Sequence, residues 1–212
     1  HEIDIVVATH PDADHIAGLV DLFDRYRIPL LISDGTERGA APLFDQILDR
    51  AAAQGTELHI ARAGEQILIE DDVSLQIVHP NLARNDENRN DNSVSMRLRY
   101  GEFTFLFTGD AEEWGEAEIL SWAANQGRNP LPALVFKAGH HGSKTSSSLP
   151  LLQAVQPQII VVSAGADNKF GHPHPEMLNR SWGAGAAILR TDQLGTITVS
   201  TDGRTMWWTA QK

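Results

Sequence analysis

Thr9-His10-Pro11-Asp12-Ala13-Asp14-His15-Ile16-Ala17-Gly18 is the stretch on which the reading of this chain turns. His10, Asp12, Asp14 and His15 follow directly on the apolar run Ile3-Asp4-Ile5-Val6-Val7-Ala8. A short run of that composition predicts a buried strand. A loop at a strand end can aim alternate side chains into one cleft while the sheet holds it rigid. A lone Asp-x-Asp is commonly a solvated helix start, because carboxylates favour the positive end of the helix dipole. Four ligand side chains packed this closely point instead to cation binding. On a tight turn His10 and Asp12 would grip one cation, and Asp14 and His15 a second.

Three further stretches put polar ligand types after an apolar strand. Phe105-Leu106-Phe107-Thr108-Gly109-Asp110 delivers a carboxylate, although by itself Asp110 also suits a turn or a helix cap. Val135 to Ser143 delivers His140 and His141 with a glycine on either side. Phe170-Gly171-His172-Pro173-His174-Pro175 places two histidines in a proline-stiffened loop, which also suits plain surface histidines.

The rest of the chain supplies the frame. Helical spacing predicts helices over 16–26, 40–54, 112–125, 148–155 and 175–183. Strands are expected at 3–8, 29–33, 57–61, 66–70, 73–79 and 133–138, with others near 159–163, 186–190, 195–200 and 205–209. Two alternating strands flank Gly101-Glu102 as a hairpin. Residues 81–92 read as a polar loop whose one core-forming residue is Leu82. Alternating strands and helices with hairpins predict an α/β fold of sheet layers covered by helices.

A chain of 212 residues is long enough to bury a sizeable core. The absence of cysteine excludes disulfides and thiolate metal sites. The net charge of −11 argues against a broad nucleic-acid-binding face, although bound cations would offset it locally. Arg84, Arg89, Arg97 and Arg99 offer positive charge near the site, or are simply solvated. No apolar run is long enough to span a membrane.

Taken together, these motifs resemble the metallo-β-lactamase superfamily. The variant motif with Asp12 in the place of a histidine resembles one branch, the C-terminal hydrolase domain of ComEC-type competence proteins for DNA uptake. Asn90-Asp91-Asn92-Ser93, Gly109-Asp110, Gly139 to Ser148 and Gly171 to Pro175 carry the same resemblance. It covers nearly the whole chain and implies an αββα sandwich over 1–212. The metal motif comes so early that the domain is expected to lack its N-terminal strands. The resemblance implies His10 and Asp12 on one metal, Asp14 and His15 on the other, and Asp110 bridging. His140 or His141 would complete the second sphere. The family's distant histidine has no clear match: His79 is one candidate, and Asn92 or Ser93 would be a weak ligand or a phosphate contact.

Two cations about 3.5–4 Å apart suit in-line displacement at phosphorus. Asp14 would orient the attacking water, and His141 or His172 would protonate the leaving oxygen. Ser143, Lys144 and Thr145 would hold the phosphate. An aspartate in place of a histidine hardens the site, favouring Mn²⁺ with Zn²⁺ next. The expected reaction is phosphodiester hydrolysis on DNA, a single strand by resemblance, degrading the strand not taken up in transformation. The partners implied are DNA and the membrane-channel portion of a parent protein, with the domain on the outer face of the cytoplasmic membrane. The alternatives are a small-ester hydrolase, for a phosphorylcholine ester or a lactone, and a non-catalytic DNA-binding module.

Overall fold

In the computed structural model, which describes residues 1–81 and 83–212, the chain forms two facing sheets with helices on both outer sides. The smaller sheet is parallel, in the order β1 (Ile5–Ala8), β2 (Leu30–Ser33), β3 (Glu57–Ile60). The larger has seven strands: β10 (Ala187–Arg190), β9 (Ile159–Val162), β8 (Val135–Lys137), β7 (Phe103–Phe107), β6 (Ser95–Tyr100), β5 (Val73–His79) and β4 (Gln66–Glu70). It is antiparallel from β4 to β7 and parallel from β7 to β10. A hairpin of β11 (Thr196–Thr201) and β12 (Met206–Gln211) closes the chain.

Strand alternation sets the layers. In β1, Val6 and Ala8 join Ile16 and Phe23 of α1 (Ala13–Arg25) and Phe44 and Ile47 of α2 (Pro42–Gln54). Ile5 and Val7 face the other way, onto Leu75, Ile77 and Met96 of the larger sheet. The larger sheet repeats the pattern. Phe136 and Ile160 pack outward with Ile119 of α3 (Glu113–Ala124), Leu151 of α4 (Leu149–Val155) and Met177 of α5 (Pro175–Gly183). Val135 and Ile159 face inward, where Ile197 and Val199 of the C-terminal hairpin pack on them. This is the αββα sandwich expected from the sequence. The central strands β1, β2, β8 and β9 are apolar on both faces because they are covered on both, while the edge strands β3 and β4 and the closing strand β12 are largely exposed.

Local differences have local causes. The motif was read as a turn followed by a helix from residue 16, but α1 starts at Ala13 with Asp12 as its N-cap. Asp14 and His15 therefore ride the first helical turn, where a carboxylate favours the dipole. Pro42 starts α2 two residues later than expected, since proline suits the first helical position. Arg89–Asn92 form a 3-10 turn within the polar loop. Leu82, the core-forming residue expected there, lies outside the described residues. A four-residue helix, α6 (Thr191–Leu194), has no periodicity that could have announced it.

Candidate metal centre

The strand ends of β1, β7 and β8 lie side by side, and the ligand-rich segments follow them. Asp110 Oδ2 lies 3.1 Å from His15 Nε2 and 3.6 Å from His141 Nε2. His141 Nε2 lies 3.4 Å from Asp14 Oδ2 and 3.1 Å from His15 Nε2, and the His15–Asp14 separation is 3.7 Å. A tetrahedral cation with bonds near 2.0–2.1 Å holds its donors about 3.3 Å apart. These separations match that spacing. His10 approaches the same carboxylate from below, with Nε2 at 4.0 Å. Two donor groups result, His10–His15–Asp110 and Asp14–His15–His141, sharing His15.

Their protonation suits a cation. His141 Nδ1 donates to the Ser163 carbonyl at 2.9 Å, which leaves its Nε2 lone pair facing His15. Two ring nitrogens at 3.1 Å need a proton or a cation between them. His10 Nε2 and Asp110 Oδ1 are buried without any hydrogen-bond partner. Unpaired buried polar atoms are costly, and a metal ion would satisfy both. Burial, then the neighbouring His15, pushes the His10 pKa down to about 4, so its ring is neutral and ready to ligate. Burial alone would raise the Asp110 carboxyl. The His15 hydrogen bond, with His15, His141 and His10 gathered around the carboxylate, outweighs it and holds Asp110 below the usual carboxylate range.

A supporting layer fixes these side chains. Ser93 Oγ accepts from the Asp110 N–H at 3.0 Å and contacts His10 Nδ1 at 3.2 Å. Gly109, with φ +55, is what lets Ser93 sit there: a Cβ on Gly109 would meet the Ser93 Cβ at 2.7 Å. Glu112 Oε1 lies 2.9 Å from His140 Nδ1. Asp91 Oδ1 accepts from the Glu112 and Gly115 N–H groups, closing the N-terminal turn of α3. His140 and His141 both have positive φ, +45 and +54. Two consecutive residues in this sparsely populated region are strained, and the surrounding contacts hold the strain in place. Glu116 accepts from Ser147 N and from Ser148 N, the latter at 2.9 Å. Arg180 donates to the carbonyls of Ser147 at 3.1 Å, Lys144 at 2.9 Å and Ser146 at 2.7 Å. A carboxylate and a guanidinium thus clamp the 144–148 loop from two sides.

The remaining expected residues fall into place around this centre. Asp12 and His140 lie outside both donor groups. Asp12, with Arg89 Nη2 at 3.9 Å, sits at the helix start, and His140 Nε2 is 3.8 Å from Asp110 Oδ2. Asn92 is buried, and its carboxamide is committed to the backbone of Asn85. His79 is fully buried, donates from Nδ1 to the Ser93 carbonyl at 3.0 Å, and joins neither group. Ser143 Oγ pairs with Thr145 Oγ1 at 2.8 Å, while the Lys144 side chain is exposed. His172 stands beside His141, with ring centroids 6.4 Å apart. Burial and the nearby His174, His140 and His141 push the His172 pKa down to about 4. Of the four arginines, Arg84 is tied to Asp34, Arg97 to the Pro132 carbonyl and Arg99 to the Gly101 carbonyl, so Arg89 is the one beside the metal turn. Sequence reasoning missed Glu112, Glu116, Asp91 and Arg180. Acidic residues near a helix start and an arginine on an amphipathic helix look like ordinary surface charge until the fold brings them to the loop.

An αββα sandwich with His/Asp clusters at its strand ends defines a metal-dependent hydrolase class. Residues 1–141 match the family profile "Beta-lactamase superfamily domain". The chain belongs to that superfamily. It is 30% identical over 197 residues to ComE operon protein 3 of Bacillus subtilis, covering 92% of this chain and 24% of that protein. It is 30% identical over 195 residues to Competence protein ComA of Neisseria gonorrhoeae, covering 92% and 25%. The chain thus spans about a quarter of the length of these curated relatives. A solved structure, a CmlA beta-hydroxylase E377D mutant, shares the fold with a TM-score of 0.60 at 16% identity, over 89% of this chain and 43% of that one. Among the described residues no helix is long and apolar enough to cross a membrane.

Proposed function

We propose that residues 1–212 act as one hydrolase domain that cuts phosphodiester bonds in DNA at a centre formed by Asp14, His15, Asp110 and His141. The observation that carries this reading is the closed ring of donors, 3.1–3.7 Å apart, on Asp110. His10 joins His15 and Asp110 in a second donor group beside Asp14, His15 and His141, so these residues would hold two cations. Divalent cations held there, Mn²⁺ by preference and Zn²⁺ next, would supply Lewis acidity toward water and phosphoryl oxygens. The names of the competence relatives support DNA as the substrate. They also support a place in DNA uptake; a position on the outer face of the cytoplasmic membrane, beside the channel portion of a larger protein, completes the proposal.

The chain's own residues have distinct tasks in this account. Asp14, two-thirds exposed, accepts a hydrogen bond from the attacking water and orients it. The exposed side chain of Lys144, flanked by the paired hydroxyls of Ser143 and Thr145, would meet the phosphate. His172 is neutral at pH 7 and offers an N–H to the leaving oxygen; the negative charge of a bound phosphate draws its pKa back up. The strained 140–141 pair stays in position because the clamp from Glu116 and Arg180 holds the loop that follows.

The test is hydrolysis of single- and double-stranded DNA with Mn²⁺, Mg²⁺ or Zn²⁺ by the wild-type chain, Asp14→Ala and Asp110→Asn. Metal-dependent cutting abolished by both substitutions is expected. A folded, metal-loaded wild type that leaves DNA intact but opens a lactone or a phosphorylcholine ester would replace this reading with the small-ester one.

A further inference from the structure

The wall of the cleft next to the metal centre is aromatic, and one of its rings, Phe170, has no part in the metal chemistry. The cleft, about 180 Å³, is lined by Asp14, His141, Ala164, Gly165, Asn168, Phe170 and His172. Three of these are rings in near-parallel order. Phe170 and His172 are inclined by 24° with centroids 5.7 Å apart, and His172 and His141 by 19°. Phe170 is 61% exposed, and its ring opens onto the same cleft as the donor side chains. Its loop is built to hold it. Asn168 accepts from the His172 N–H at 2.9 Å and donates to the His172 carbonyl at 2.7 Å. The loop is docked onto the histidine pair by His174 N donating to the Gly142 carbonyl at 2.9 Å, and by Lys144 N donating to His174 Nδ1 at 3.0 Å. An exposed ring on a braced loop costs little conformational entropy when something stacks on it.

The structure assigns Phe170, in our reading, as a stacking platform for an unpaired nucleobase next to the phosphate being cut. This rests on the DNA reading above and deepens it. Lys169 places its ammonium 5.0 Å from the Phe170 centroid. A nucleotide carries a flat base and an anionic phosphate, and this pair meets both: a base displacing the cation from the ring face frees Lys169 for the adjoining phosphate. A base inside a duplex has its faces covered by its neighbours, so the platform selects single strands or ends. Phe170 is a specificity-determining residue that meets the base and not the bond being broken.

The experiment uses the full chain and single-stranded oligonucleotides carrying one 2-aminopurine, with otherwise identical strands in which that position is abasic. Binding is read in EDTA by fluorescence quenching for 2-aminopurine and by anisotropy of an end label for both. Turnover is read in Mn²⁺. Phe170→Ala is expected to weaken binding to the base-bearing strand and raise its KM about tenfold or more, leaving the abasic strand and Mn²⁺ affinity unaffected. Phe170→Trp is expected to retain the wild-type values. Equal losses on base-bearing and abasic strands, or no loss on either, would overturn the platform while leaving a DNA hydrolase in place. A wild type that neither binds nor cuts either strand would overturn the DNA reading itself.

Discussion

Ser93 shows how much of the site depends on residues that would never touch a metal. Its hydroxyl joins the Asp110 backbone to the His10 ring, so it sets the relation between that carboxylate and the first histidine. Removing such a partner commonly costs 10–100-fold in metal affinity. Ser93→Ala should lower Mn²⁺ or Zn²⁺ affinity by about that factor while the far-ultraviolet circular dichroism stays unchanged, as a chelator competition would record. His10 carries a second prediction at this scale. Its folded pKa, about 4, lies below its ordinary 6.5, so the metal-free fold takes up fewer protons than the unfolded chain between those values. The stability that this contributes is complete above pH 6.5 and is lost as pH falls through 4. Urea midpoints between pH 7 and 4 should fall more steeply for the metal-free wild type than for His10→Gln. The motif residues themselves were legible in the sequence because ligand chemistry is dense there. Their sorting was not. Nothing in adjacent letters says that His141 faces His15 while His140 turns toward Glu112; the two positive φ angles decide that.

At the scale of single elements, α3 and the loop after β8 depend on each other. Glu116, on α3, is buried, and burial pushes its pKa up to about 7, outweighing the serine amides and Arg180 that favour its charge. The sign is opposite to that of His10. A carboxyl raised from 4.5 to about 7 holds a proton in the fold that the unfolded chain has released, so its charging penalty is absent below pH 4.5 and complete above pH 7. The wild type should therefore lose stability relative to Glu116→Gln as pH rises from 5 to 8, by an amount on the order of a few kcal/mol. A parallel pair of curves would remove Glu116 from the account. Asp91 anchors the same N-terminal turn of that helix. Asp91→Ala leaves the Glu112 and Gly115 N–H groups without their acceptor and should cost about 1–2 kcal/mol in denaturant unfolding. Most elements could be read from periodicity, because strands and helices here each bury a face. The start of α1 could not: Asp12 to His15 was read as a ligand turn before a helix from residue 16, and the structure makes it the N-cap and first turn of α1, with Asp14 and His15 beside His141 and Asp110.

Over the whole molecule, the sandwich brings segments from residues 10, 110 and 141 to one edge, and the covered faces of both sheets keep that edge stiff. Sequence alternation was enough for the layered class, but strand order and the docking of the 165–175 loop depend on long-range packing that no local pattern encodes. Net charge has a consequence at this scale too. With −11 overall and only a few exposed cations near the cleft, Arg89, Lys144 and Lys169 among them, the protein offers DNA few phosphate contacts. The logarithm of its affinity for a single strand should fall with the logarithm of salt at a slope of about −2, since each contact contributes about −0.7. The most direct measurement of the central claim takes metal content and DNA hydrolysis from the same samples, comparing the wild type with His141→Ala. The account predicts that both fall together and that added Mn²⁺ restores neither in the variant at concentrations that saturate the wild type. Undiminished hydrolysis by His141→Ala, or by wild type stripped of metal, would contradict it.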